Sequence, residues 1–352
     1  MIGMIKVRAP QIFKISVTRK IHHRYLWDHF HCRESFVRKF LQETMDWSLR
    51  RSTRAGKKTP DGVTYILTNA YFRIVHTISE NNVTITISVN TDQTLVTYSA
   101  GASETYAPKG SKQVEVVGKD EKRGFTLVVG ISMSGEALPF QAIYAGKTDR
   151  SLPSQDAPDY HKATKELKFR FESGGDNHWS TQGTMKTYVQ YILVPYFEVH
   201  RQDPNQVCIW QIDCWSVHRS AEFRNWMYNT YPWIRIHYVP ANCTGLFQPC
   251  DVGIQRVLKL AIRCSALQDI INDTTEQLDC GIDSKMVTFE KKLPVVRDRS
   301  VRWLVNGYKA INNPELIKKV ISSSFHSFSY SSHKIPGFPT LFYWTEGFQP
   351  LI

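Results

Sequence analysis

Between Gln206 and Arg256 two short β-patterned runs enclose one helical pattern, and this order admits few folds. The first run, residues 207–212, is apolar, β-branched and aromatic, and it stops at Asp213. Residues 216–228 follow, with Val217, Ala221, Phe223, Trp226 and Met227 at loose helical spacing behind Ser216, a capping-type serine. The second run, residues 233–239, is broken by Pro240. A loop over residues 241–250 then delivers Asp251 to a helix on which Ile254, Val257, Leu258 and Ala261 repeat at three and four residues. A strand, helix, strand unit of this length forms a right-handed crossover, so the two strands lie parallel with their carboxyl ends on one side. Ligands of open α/β sheets bind outside those ends. Asp213 projects there and the following loop can fold Asp251 back toward it, although either aspartate alone reads equally well as a helix cap.

A third carboxylate lies upstream. Residues 83–89 alternate as a strand and run into Asn90-Thr91-Asp92-Gln93-Thr94, which places Asp92 just past a strand end. Turn signals at Gly101, Pro108-Lys109-Gly110 and Gly118 surround a short strand at 113–117, and the charge run 119–123 reads as a solvated turn. Residues 125–132 form a buried strand with 138–144 as its hairpin partner. Residues 151–176 read as a surface excursion, and 179–199 as a helix that Pro195 should kink. The order predicts an α/β fold with a ribonuclease H-like mixed sheet, three antiparallel strands continued by two parallel strands, with flanking helices. There the first and fourth strands are neighbours, so Asp92, Asp213 and Asp251 converge.

Three anions brought together raise one another's pKa and repel, an arrangement stable mainly with cations in it. Oxygen-only ligation favours Mg²⁺ or Mn²⁺, and two such ions serve phosphodiester cleavage. Asp92, Asp213 and Asp251 are therefore the candidate catalytic and metal-binding residues. His218, about a turn into the helix after Asp213, is a candidate for orienting a phosphate or water, or else packs. Arg256, Lys259 and Arg263 recur at helical spacing beyond Asp251 and are candidates for holding a nucleic-acid backbone, or else form a solvated face.

Charge agrees with a polyanionic partner. The net charge is +12, and the first 60 residues hold 14 Lys and Arg against four Asp and Glu. Residues 1–33 read as an unstructured leader. Residues 34–80 read as a basic helical linker region, with one helix over 34–54 and another over 65–79. Residues 81–275 make the catalytic domain, 276–322 the C-terminal helices, and 323–352 an irregular aromatic tail. No apolar run reaches membrane-spanning length, and no secretory signal pattern stands at the start. The seven cysteines lack a CxxC pair, and Cys243, Cys250 and His218 or His237 match no zinc-finger spacing.

Four passages resemble the DDE superfamily of transposase-derived endonucleases, in particular its pogo and Tigger branch, which includes centromere-binding protein B. They are Asn90-Thr91-Asp92-Gln93-Thr94; Lys122-Arg123 before the strand 125–131 with Leu138-Pro139-Phe140 after it; Ile212-Asp213 followed by His218; and Val239-Pro240-Ala241-Asn242-Cys243-Thr244 running into Gln248-Pro249-Cys250-Asp251. The last is the most specific. The resemblance spans roughly residues 80–270 and implies a ribonuclease H-like catalytic domain with Asp92, Asp213 and Asp251 as its metal-binding triad. It also implies hydrolytic nicking at transposon ends, strand transfer of the freed 3′ hydroxyl, DNA as partner, and a nuclear location, with a second copy of the chain as a further candidate partner. Cys214 and Trp215 stand where family members usually carry asparagine after the second aspartate, which changes the surroundings of that acid. Only about thirty residues precede Glu34, fewer than the family's helix-turn-helix region requires, so the chain reads as an N-terminally truncated copy. The alternative of another class is a catalytically silent nucleic-acid-binding protein derived from a transposase.

Overall fold

The computed structural model describes residues 16–21, 24–29, 39, 43, 59–98, 123–283 and 286–332. The chain divides into two compact units, Met1–Lys57 and Lys58–Ile352. In the first, β1 (Ser16–Ile21) and β2 (Arg24–His29) pair antiparallel with Ile21 opposite Arg24. A hairpin therefore stands within the segment expected to be an unstructured leader; Val17, Thr18 and Ile21 supply the β-branched residues that favour it. The helix expected over 34–54 lies outside the described residues except for Lys39 and Glu43, an i,i+4 ion pair at 3.8 Å.

The larger unit opens with α1 (Val63–Asn81), which buries Leu67, Tyr71, Ile74 and Val75 along one stripe, as the pattern over 65–79 predicts. Six strands follow: β3 (Ser88–Thr97), β4 (Gly124–Ser132), β5 (Gln141–Tyr144), β6 (Arg170–Ser173), β7 (Cys208–Ile212) and β8 (Ile234–Tyr238). They form one sheet in the order β6-β5-β4-β3-β7-β8. β3, β4 and β5 run antiparallel in turn, and β7 and β8 continue the sheet in parallel beside β3. This is the mixed, helix-flanked sheet of the ribonuclease H-like class. Every residue of β4 and β7 is buried, as strands covered on both faces must be.

Two expectations about strands change. The first sheet strand starts at Ser88 rather than at 83, and Asp92 lies inside it, opposite Val129 of β4. The turn-forming look of Asn90-Thr91-Asp92-Gln93-Thr94 is overridden because these polar groups find partners inside the sheet. The excursion over 151–176 contains β6, which pairs parallel with β5 and makes the sheet six-stranded; Phe169 stacks on Phe140 at 5.0 Å beside it. The strand expected at 113–117, its turn signals and residues 119–122 lie outside the described residues.

The helix expected over 179–199 forms as α2 (Gln182–Tyr188) and α3 (Val194–His200), joined by a π-type turn, Val189–Leu193. The Val194 N–H reaches back five residues to the Val189 carbonyl, and Pro195, which has no N–H, begins the next segment, so the turn absorbs the kink. The helix expected over 216–228 is likewise two, α4 (Ser216–Arg219) and α5 (Ala221–Thr230). Its capping serine is Ser220, whose hydroxyl accepts from the Phe223 N–H at 3.2 Å, and not Ser216.

Beyond β8 come α6 (Thr244–Phe247), a π-type turn at Cys250–Ile254, α7 (Gln255–Asp279), α8 (Leu293–Ile311) and α9 (Pro314–Ser332). α9 continues ten residues into the segment expected to be an irregular tail, because Phe325 is buried between Tyr71 and Phe247; residues beyond 332 lie outside the described ones. Gly253 lets the π-type turn sit against α9, since a Cβ there would come within 2.6 Å of the Val320 side chain. α7 and α8 are clamped by Asp269, which accepts from Arg302 at 2.6 Å and Trp303 at 2.7 Å, and by Asp273, which holds Arg299 at 2.7 and 2.8 Å.

Candidate active site

β3 carries different jobs on its two faces, as side chains of a strand alternate. On one face Thr91 accepts from the Trp210 indole at 3.0 Å and meets the Tyr188 hydroxyl at 3.2 Å, tying β3 to β7 and α2. On the other, Asn90 donates to the Gln211 carbonyl at 3.1 Å and accepts from the Cys250 N–H at 3.0 Å. A buried amide thus joins β3, β7 and the turn bearing Asp251. Gln248 adds a bond from its amide to the Thr91 carbonyl at 3.3 Å. The parallel pairing of β3 with β7 ends at Asn90 and Gln211, so Asp92 stands two residues beyond it, where the sheet opens and where Asp213 leaves β7.

Asp92 feels the other two aspartates. Burial raises the Asp92 pKa well above the ordinary carboxylate value, and the neighbouring Asp251 and, more weakly, Asp213 push the same way. Asp251 and Asp213 both lie within electrostatic reach of Asp92. The Gln255 amide donates to Asp92 Oδ2. Among the described residues no group of three or more His, Cys, Asp or Glu side chains stands together in a way that would hold a metal ion. The donor chemistry nonetheless suits a hard divalent cation. Burial and the nearby Asp251 and Asp213 disfavour the charged form of Asp92, and an ion there would relieve both.

His218 sits elsewhere than a nucleic-acid contact requires. Its ring is 3 % exposed, packed among Trp210, Trp215 and Phe223. Nδ1 lies 2.8 Å from Asp213 Oδ1, and the Tyr238 hydroxyl donates to the His218 carbonyl at 2.7 Å. Of the two readings of His218 the structure shows the packed one, with Nδ1 engaged by Asp213. Lys259 is exposed on α7, within electrostatic reach of Asp251 and Asp92. Burial lowers its pKa while Asp251 and Asp92 oppose that shift. Arg256 and Arg263 are exposed on α7.

Sequence reasoning missed Asn90 and Gln255. Gln255 stands four residues after Asp251, hence on the same helical face, and Asn90 two before Asp92, hence on the same strand face. Those spacings were the available signals.

A family model described as DDE superfamily endonuclease matches residues 122–319, a span holding Asp213 and Asp251 and beginning after Asp92. Among solved structures, the Mos1 mariner paired end complex with Mn is similar at 12% identity and TM-score 0.43, over 83% of this chain and 70% of that one. The catalytic domain of Mos1 mariner transposase is similar at 12% identity and TM-score 0.35, over 79% of this chain and 98% of that one. No curated protein gives a significant match.

Proposed function

The chain belongs to the DDE superfamily endonuclease family, and from that membership and the electrostatic coupling of Asp92 to Asp251 and Asp213 we propose that it is a transposase-derived endonuclease core of the pogo and Tigger branch. It cleaves phosphodiester bonds in DNA and transfers the freed strand. The observation that carries the reading is Asp92, a buried carboxylate raised by its burial and by Asp251 and Asp213 together. Such a cluster is unfavourable without a cation and is common at functional sites. The branch is supported by the run from Val239 to Asp251, whose asparagine, threonine and Gln248-Pro249-Cys250-Asp251 sit in the loop that feeds the site.

Asp92, Asp213 and Asp251 would hold the divalent ions, two Mg²⁺ or Mn²⁺. Bound there, they would supply a Lewis acid that acidifies water and stabilises the departing oxygen. The chain's own groups do the rest. Gln255 orients Asp92, and His218 orients Asp213. Lys259 places a cation beside the carboxylates to receive a phosphate, and Arg256 and Arg263 extend that positive face along α7 to the DNA backbone. A nuclear location goes with such a substrate.

The test is nicking of supercoiled plasmid by the full chain with Mn²⁺, Mg²⁺ or chelator, beside Asp213→Asn. Metal-dependent nicking that the variant loses is expected; nicking unchanged in the variant would refute the assignment. One observation favours a second reading, a silent DNA-binding protein: Asp213 is engaged by His218 and, among the described residues, no group of side chains stands together to hold a metal ion. That reading expects salt-sensitive DNA binding in the absence of any nicking.

A further inference from the structure

β8 is the last strand on its side of the sheet. The Cys208 N–H donates to the Trp233 carbonyl at 2.9 Å, and the Val239 N–H to the Ile212 carbonyl at 2.8 Å. With the parallel register between them, these bonds turn the backbone groups of residues 233, 235, 237 and 239 toward β7. Ile234, Ile236 and Tyr238 therefore turn theirs outward. The Ile234 N–H is taken up by the Tyr231 carbonyl at 3.0 Å. Among the described residues the Ile236 N–H and C=O and the Tyr238 N–H have no partner.

Beside that edge lies a groove of about 450 Å³, lined by β8 and α5. Met227, Ile234 and Ile236 give it apolar surface, and α5 adds Arg224, exposed, and Tyr228, 72 % exposed. Arg224 and Arg219 lie within electrostatic reach of the Tyr238 hydroxyl. Arg235, exposed as well, projects from the alternate face of β8 and turns back along the chain to donate to the Pro232 carbonyl at 2.6 Å. No Asp or Glu of the described residues lines the groove, and Glu222 of α5 is held by Lys186 at 3.1 Å.

We propose that this edge takes an extended, acidic segment of another protein, which adds to the sheet as a seventh strand beside β8. An open strand edge presents donors and acceptors in alternation, and an extended polypeptide backbone answers both. Phosphates offer acceptors alone, which the outward Ile236 carbonyl would repel. A second β8 is disfavoured by charge, since pairing edge to edge sets one group of arginines against another. On an incoming strand the residue opposite Ile236 shares its face and meets the apolar groove, while that residue's neighbours alternate to the side of Arg235 and His237. The segment that fits thus alternates apolar and acidic residues.

The test is selection of random displayed peptides on the immobilised full chain, the enriched peptides then being synthesised and titrated by fluorescence anisotropy. Enrichment of alternating apolar and acidic sequences is expected, with slowed amide hydrogen exchange over residues 234–238 in the complex. Ile236→Pro removes an N–H that makes no bond to β7, and should weaken binding at least about tenfold. Arg224→Glu combined with Arg235→Glu should weaken it at least about tenfold too, with an unchanged circular dichroism spectrum because both side chains are exposed. This pair decides the matter even if the proline variant fails to fold. No enrichment, or peptides that bind the arginine variant as tightly as the unsubstituted chain, overturns the proposal. So does an edge already protected from exchange in the free chain, which would show it filled by the chain's own residues or by a second copy. Duplex DNA that slows exchange over 234–238 would assign the edge to nucleic acid and overturn it equally.

Discussion

Two histidines sit at half-buried or buried places with opposite consequences. His218 is an orienting group: its Nδ1 holds Asp213 at 2.8 Å inside an aromatic surround. Removing such a partner of a metal-binding side chain lowers metal affinity or activity by roughly 10–100-fold. His218→Ala is thus expected to reduce nicking by that factor, with partial recovery at raised Mn²⁺, and His218→Asn to lose less; equal nicking in all three proteins would remove the role. His237 concerns stability. Burial, helped by Arg73, lowers its pKa from 6.5 to about 4. Below pH 6.5 the unfolded chain takes up a proton that the folded chain refuses until about pH 4, so stability is full above 6.5 and falls across that window. Between pH 7 and pH 5 the loss amounts to about 2 kcal/mol. Urea midpoints at the two pH values should diverge less for His237→Gln than for the unsubstituted chain.

At the scale of elements, Asn90 joins strand to turn. Its buried amide serves the β7 backbone and the Cys250 N–H, one residue before Asp251. Asn90→Ala leaves both buried partners unsatisfied and is expected to cost about 2–3 kcal/mol. Nicking should fall further than in a core variant matched for stability, as read from denaturant melts and plasmid assays run together; a parallel fall would make Asn90 structural only. The same residues explain a misreading. Asn90 to Thr94 carry turn-forming side chains, and local propensity puts a strand end there, yet their polar groups are satisfied across the sheet, and β3 runs on to Thr97. Propensity is a statement about neighbours in sequence, and Gln211 and Cys250 are not neighbours of Asn90 in that sense.

Across the whole molecule, the helices after Asp251 form a brace built on two acids of α7. Asp269 is buried with Arg302 and Trp303 as donors, and Asp273 pairs with Arg299 through two bonds. Asp269→Asn removes the charge while leaving the basic partner, and about 3 kcal/mol of stability should go with it. Because the clamp lies apart from the carboxylates, nicking well below the melting temperature should be unchanged; lost nicking in a folded variant would tie α8 to catalysis.

The sequence by itself determined the parallel pair around Asp213 and the helix behind Asp251, because these follow from period and chain order, which are local quantities plus the handedness of a crossover. Only the tertiary structure decided that Asp92 lies within a strand, that β6 extends the sheet, that α9 reaches Ser332 and that His218 turns inward to Asp213. Each of these rests on a contact between residues far apart in the chain: Asn90 with Cys250, Phe169 with Phe140 and Phe325 with Tyr71 and Phe247, or on a burial that no short stretch encodes.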